Sequence, residues 1–162
     1  MIGILELLVA LVAPYILFRI FKYFRRGKVI DGGTVVISKK PKSDVFEDTI
    51  KLNGKKIDCI FDTGASVTTI GIKDAQKIGF DPSNLMFITN SNTAAGEMQN
   101  ALAEAEVDIL EVGPITIKKF GIMVNRYRES QCLLGMNFFD SLDSFEIKNE
   151  KLILKLTPKK QA

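Results

Sequence analysis

From residue 45 onward, apolar positions come in short runs separated by turn-forming pairs, the pattern of closely spaced strands. Residues 46–52 and 56–61 flank Asn53-Gly54, the strongest short hairpin signal a sequence offers. Segments 104–110 and 115–124 bracket Gly113-Pro114, and 145–147 and 152–156 flank Asn149-Glu150. A further strand is predicted at 67–70, and within 85–108 two segments can pair as a hairpin around Thr93-Ala94-Ala95-Gly96. Helical signals are few. Residues 73–79 fit two turns stopped by Gly79, with Ala75 and Ile78 facing inward, and 137–142 fit a short helix. Many strands and few helices predict a small, mainly β domain built as a barrel, with no internal repeat.

The N-terminus follows a different pattern. Residues 2–21 carry only Glu6 and Arg19 as charges, and twenty residues just span a hydrocarbon core of about 30 Å. Pro14 is tolerable in such a helix, and Tyr15 or Tyr23 suits an interface. A cleaved signal peptide would need its positive charge before the apolar stretch, but here the charge follows it. A buried or interfacial helix is the other alternative, because the uninterrupted apolar core, 7–18, is twelve residues. The segment reads as a transmembrane anchor over 1–28. Its basic C-terminal flank directs residues 22 onward to the cytoplasm by the positive-inside rule. Residues 29–44 mix glycine, lysine and proline and read as a linker with an optional edge strand at 34–38. The folded domain is expected over 45–157, with 158–162 as a tail.

Charge and composition narrow the chemistry. The 162 residues are 46% hydrophobic with five prolines, enough for a core and unlike a disordered chain. The net charge of +3 is local. Residues 1–28 hold five of the 22 basic side chains and one of the 19 acidic ones, so the body is near neutral. A near-neutral body has no nucleic-acid footprint. With no histidine and two cysteines, Ser-His-Asp and Cys-His triads are excluded, and so are histidine or thiolate metal sites. Carboxylate, lysine or serine–lysine chemistry is left.

Asp62-Thr63-Gly64-Ala65-Ser66 follows the apolar run 57–61 and leads into Val67-Thr68-Thr69-Ile70. A carboxylate on a tight turn between buried strands has lost much of its water and needs a partner or a task. An Asx-turn without chemistry also fits D-T-G alone. Two carboxylates held together share one proton, so one can activate water while the other protonates a carbonyl oxygen. The chain has one D-T-G, and such a pair requires two copies of it.

With these residues in view, the chain resembles retropepsin-like aspartic proteases, and specifically their bacterial membrane-anchored branch. Residues 67–79 resemble the strand-helix step after the catalytic turn, and Thr93, Ala94, Ala95 and Gly96 resemble the flap tip. Leu133, Leu134 and Gly135 resemble the strand that supports the catalytic loop and lines a pocket, with Met136-Asn137-Phe138-Phe139 as its helix. Residues 142–154 resemble the closing hairpin. The resemblance covers roughly residues 45–157. It implies a retropepsin-like half-barrel with a flap, Asp62 as the catalytic residue and Thr63, Gly64, Ala65 and Ser66 as its supporting loop. It further implies a homodimer, an extended peptide as substrate, no cofactor, no metal, and a lipid contact in a bacterial inner membrane. Ala65 stands where two-domain relatives have a hydroxyl, which implies a mildly acidic optimum. Ala95 departs from the asparagine frequent in the branch. Cys59 and Cys132 would lie on neighbouring strands; they read first as two small buried thiols, with a disulfide as the alternative. The rival function is a non-catalytic dimer that grips peptides at the membrane.

Overall fold

A computed structural model describes residues 27–94 and 96–158. The strands β1 (Lys28–Asp31) and β2 (Gly33–Ser38) come first, then the hairpin β3 (Phe46–Leu52) and β4 (Lys55–Phe61). After β5 (Thr69–Gly71) come the helix α1 (Ile72–Lys77) and a 3-10 turn at Pro82–Asn84. A long hairpin, β6 (Phe87–Thr93) and β7 (Gly96–Val112), leads into β8 (Ile115–Asn125). Short β9 (Cys132–Leu134) and α2 (Met136–Phe139) precede the last hairpin, β10 (Ser144–Lys148) and β11 (Lys151–Leu156).

Six strands close a circuit. β3 pairs with β4, β4 runs parallel to β9, and β9 pairs with β5. β5 runs parallel to β8, β8 pairs with β7, and β7 returns to β3 through Leu52 and Leu110. Closure leaves few free edges and encloses a core. Ile50, Leu52, Ile70, Leu110, Ile117 and Phe120 are among the side chains sealed inside it. β1 adds beside the first half of β8, and β6 lies along the first half of β7.

The turns set these registers. Asn53 and Gly54 both take positive φ (49° and 75°), the two-residue geometry that matches the strand twist. Asn53 also joins three elements. Its Oδ1 accepts from the Asp108 N–H at 2.8 Å, its Nδ2 donates to Ile78 O at 3.3 Å, and its N–H donates to Ile109 O at 2.9 Å. Asn149 and Glu150 (φ 50° and 58°) close the β10–β11 hairpin in the same way.

The predicted linker, 29–44, holds more structure than one optional edge strand, since β1 and β2 both fall largely within it. Val29 and Ile37 give each strand an apolar side. β1 pairs with β8, while β2 joins β11 in a second, three-stranded sheet ordered β10-β11-β2. Ile37, Leu152 and Leu154 point from that sheet into the core. A fully buried leucine contributes about 2 kcal/mol. The predicted strand at 67–70 shortens to Thr69–Gly71, because Val67 and Thr68 belong to the turn before it. The apolar segment 2–21 lies outside the described residues. Among the described residues no helix is long and apolar enough to cross a membrane.

Candidate active site

Strand β4 buries Ile57, Cys59 and Phe61 and turns Asp58 and Ile60 to the other side. Asp62 continues that second side, half-buried. The chain then reverses. The Gly64 N–H donates to Asp62 Oδ1 at 2.8 Å, and the Ala65 N–H donates to Asp62 O at 3.2 Å. This is an Asx-turn, which explains locally why an aspartate heads the segment. A Cβ on Gly64 would lie 3.0 Å from that same Oδ1. Thr63, Gly64 and Ser66 are exposed, and Ala65 is half-buried.

A second segment clasps the turn from behind. The Asp62 N–H donates to Leu134 O at 3.0 Å, and the Met136 N–H donates to Ala65 O at 2.7 Å. Between these bonds, Gly135 packs directly on the loop backbone. A Cβ there would meet Val67 C at 2.6 Å, Ala65 O at 2.8 Å and Thr68 N at 2.9 Å. Two buried polar residues complete the clasp, Thr68 (0% exposed) and Asn137 (5%). Asn137 Oδ1 accepts from the Thr68 N–H at 2.8 Å and from its hydroxyl at 2.9 Å. Thr68 Oγ1 accepts from the Gly135 N–H at 3.1 Å, and Asn137 Nδ2 donates to Gly121 O at 2.9 Å.

The structure therefore gathers Asp62, Thr63, Gly64, Ala65 and Ser66 against Leu133, Leu134 and Gly135. Leu134 is fully buried. Leu133 is half-buried and lies opposite Ile60, so the two form an apolar strip on the side of β4 that carries Asp62. A cavity of about 540 Å³ opens beside it, lined in part by Asp58, Ile60, Tyr127, Ser130 and Gln131. In the same wall, the Lys73 ammonium bonded to Glu129 holds that carboxylate below its ordinary range. Burial raises the Asp74 carboxyl above its ordinary value, against the lowering effect of the Gln131 N–H and Lys77. Thr93, Ala94 and Gly96 form the exposed tip of the β6–β7 hairpin, where Thr93 Oγ1 donates to Gly96 O at 3.1 Å. Ala95 lies outside the described residues.

One expectation is corrected. Cys59 and Cys132 are joined in a disulfide rather than standing as two separate thiols. The parallel register of β4 and β9 sets them directly opposite, with Cα atoms 4.5 Å apart. The bond ties the strand carrying Asp62 to the strand that clasps it. Sequence reasoning assigned no role to Thr68 or Asn137. Their signal was polar residues set among apolar ones: Thr68, with Thr69, between Val67 and Ile70, and Asn137 between Met136 and Phe138.

Comparison with known proteins agrees with this geometry. The sequence model of the "gag-polyprotein putative aspartyl protease" family matches residues 49–141. Two curated relatives are an "Uncharacterized protein in cobV 5'region" from Sinorhizobium sp and "Uncharacterized protein RP867" from Rickettsia prowazekii (strain Madrid E). The first is 36% identical over 126 residues, covering 77% of this chain and 53% of the relative. The second is 30% identical over 122 residues, covering 75% and 51%. The chain thus spans about half the length of the curated relatives it matches. Among solved structures, a retropepsin-like aspartic protease from Rickettsia conorii superposes with a TM-score of 0.67 at 28% identity, covering 80% of this chain and 96% of that one. The EIAV protease, solved with the inhibitor HBY-793, shares the fold at a TM-score of 0.50 and 13% identity, covering 63% and 91%. With the D-T-G turn, its clasping strand and the closed barrel all in place, the chain belongs to the retropepsin-like aspartic protease family.

Proposed function

We propose that the chain is a membrane-anchored aspartic endopeptidase that acts as a homodimer. The observation that carries this reading is the Asp62 turn. It presents one carboxylate, with its loop backbone bonded both within the turn and to the β9–α2 segment. One carboxylate cannot both activate water and protonate a carbonyl oxygen. A second copy would bring its own Asp62 across a two-fold axis, with the exposed Thr63 and Gly64 at the contact. Two carboxylates at close range share one proton. The ionised member takes a proton from water as that water attacks the scissile carbonyl. The protonated member gives its proton to the carbonyl oxygen. The member that took the proton from water then passes it to the leaving nitrogen, and a hydroxyl of the tetrahedral adduct returns its proton to the other carboxylate, so the adduct collapses to acid and amine with no covalent intermediate. The apolar strip of Ile60 and Leu133 suits hydrophobic side chains beside the scissile bond, and the β6–β7 hairpin serves as the flap over an extended peptide. Tethering both copies in one membrane raises their effective concentration and favours pairing.

The test is cleavage of an unbiased peptide library by the full chain in detergent or bilayer, from about pH 4 to 7, beside Asp62→Asn. Cuts are expected in the mildly acidic range and lost in the variant. A folded, dimeric protein that cuts nothing, or an Asp62→Asn variant that cuts as well as the parent, would overturn the reading in favour of a peptide-binding dimer.

A further inference from the structure

We propose that Asn137 is the positioning residue of the Asp62 turn: its amide fixes where the carboxylate stands without touching the reacting atoms. The consequence for activity rests on the protease reading above, whereas the structural consequence stands without it. Asn137 is 5% exposed and Thr68 fully buried, on opposite sides of the junction between the turn and the β9–α2 segment. Their hydrogen bonds form a directed chain. The Gly135 N–H donates to Thr68 Oγ1, the Thr68 hydroxyl donates to Asn137 Oδ1, and Asn137 Nδ2 donates to Gly121 O on β8. The Thr68 N–H adds a second bond to Asn137 Oδ1. Each link crosses from one segment to another, so the exit of the turn, the clasp and the barrel wall are held at one point. The Thr68 carbonyl also accepts from the Met123 N–H at 2.8 Å, which fixes the same residue to β8 from its other side.

The chemistry of this chain is specific. One atom must accept two bonds while its neighbour donates, and asparagine supplies both on one rigid plane. A protonated aspartic acid reproduces that arrangement, with its carbonyl facing Thr68 and its hydroxyl facing Gly121 O. An ionised aspartate does not, because it sets a second negative oxygen against the Gly121 carbonyl in a buried place. Thr68, Gly135 and Gly121, which Asn137 meets through this network, are uncharged. The titratable groups on the same segments are Asp62 on the turn, Asp140 after α2, and Lys118 and Lys119 on β8, the last held by Asp108 and Glu106.

Two variants of the full chain test this, Asn137→Leu and Asn137→Asp. Peptide cleavage and amide hydrogen exchange are measured at pH 4.5 and pH 7 beside the parent protein. With the leucine, exchange at residues 62–68 is expected to rise at least tenfold while β7 and β8 keep their protection. kcat should fall on the order of 100-fold with KM held, since small misplacements of a reacting group cost that much. The aspartate variant should match the parent at pH 4.5 and the leucine variant at pH 7. A residue that merely filled space would not produce that pH-dependent rescue. Unchanged exchange at 62–68 in the leucine variant, or an aspartate variant equal to the parent at both pH values, would overturn the assignment. If the leucine variant does not fold, the aspartate variant at its two pH values decides alone. A parent that cleaves nothing sinks the protease reading, while the exchange measurements still judge Asn137.

Discussion

Replacing Gly135 by alanine isolates the steric demand of the clasp. The backbone there is extended (φ −94°, ψ −175°), a conformation any residue adopts, so the substitution adds a methyl group and no dihedral strain. That methyl would sit 2.6 Å from Val67 C, 2.8 Å from Ala65 O and 2.9 Å from Thr68 N, all backbone atoms. Relieving a carbon–carbon contact to its optimum of about 3.5 Å requires a shift of roughly 0.9 Å. All three contacts lie on residues 65–68, so the shift falls on the Asp62 turn. Overpacking of this kind costs about 1–3 kcal/mol of stability, and a displacement near 1 Å costs about 100-fold in rate.

Gly71→Ala is the matched comparison. Its backbone is also extended (φ −80°, ψ 171°), and its Cβ would meet Glu129 O at 2.6 Å, Glu129 C at 2.8 Å and Arg128 O at 2.9 Å. The overlap is equal in size but falls on another loop. Urea unfolding and peptide cleavage of both variants should show similar losses of stability, with the large loss of kcat confined to Gly135→Ala. If Gly135→Ala keeps its kcat within about twofold, or Gly71→Ala loses as much, the clasp does not set the geometry of the turn.

Two further outcomes follow from the same structure. The Cys59–Cys132 disulfide spans 73 residues of sequence, so the chain-entropy model assigns it about 4 kcal/mol. Cys59→Ala/Cys132→Ala, or reduction of the parent, should lower the urea midpoint accordingly, and a loss below about 1 kcal/mol would refute the constraint. Unreduced parent protein should resist thiol labelling at Cys59 and Cys132 and label at both after reduction, and labelling without reduction would contradict the bond. The other outcome concerns Asp74, whose carboxyl is raised above its ordinary 3.8, first by burial. A raised folded-state value stabilises the fold below the ordinary carboxylate range, and that contribution is lost as pH rises through the raised value. The stability of the parent relative to Asp74→Asn should therefore fall across this window, and a difference that rises with pH would contradict the burial argument.

The turns, and the local fold of the candidate catalytic pentapeptide, were legible in the sequence because their causes are local. Asn53-Gly54 and Asn149-Glu150 predict their hairpins through backbone conformations that few residue types tolerate. Asp62-Thr63-Gly64 folds on itself through the Asp62 carboxylate and the Gly64 N–H, two residues apart. Glycine and lysine content made residues 29–44 read as a linker. Composition does not reveal that β8 and β11 each leave an edge for a further strand to cover.

The sequence by itself determined the strand-rich character, the position of the candidate catalytic carboxylate, the absence of histidine chemistry and an apolar N-terminal segment long enough to span a bilayer. Tertiary structure decided which residues hold that carboxylate in place. Asn137 and Thr68 are 69 residues apart, Gly135 and Ala65 are 70 apart, and the two cysteines 73 apart. Hydrogen bonds and van der Waals contacts act over a few ångströms, so such partners have no meaning until the barrel closes. Once β4, β9 and β5 stand side by side, an ordinary threonine, asparagine and glycine become the mount of the site.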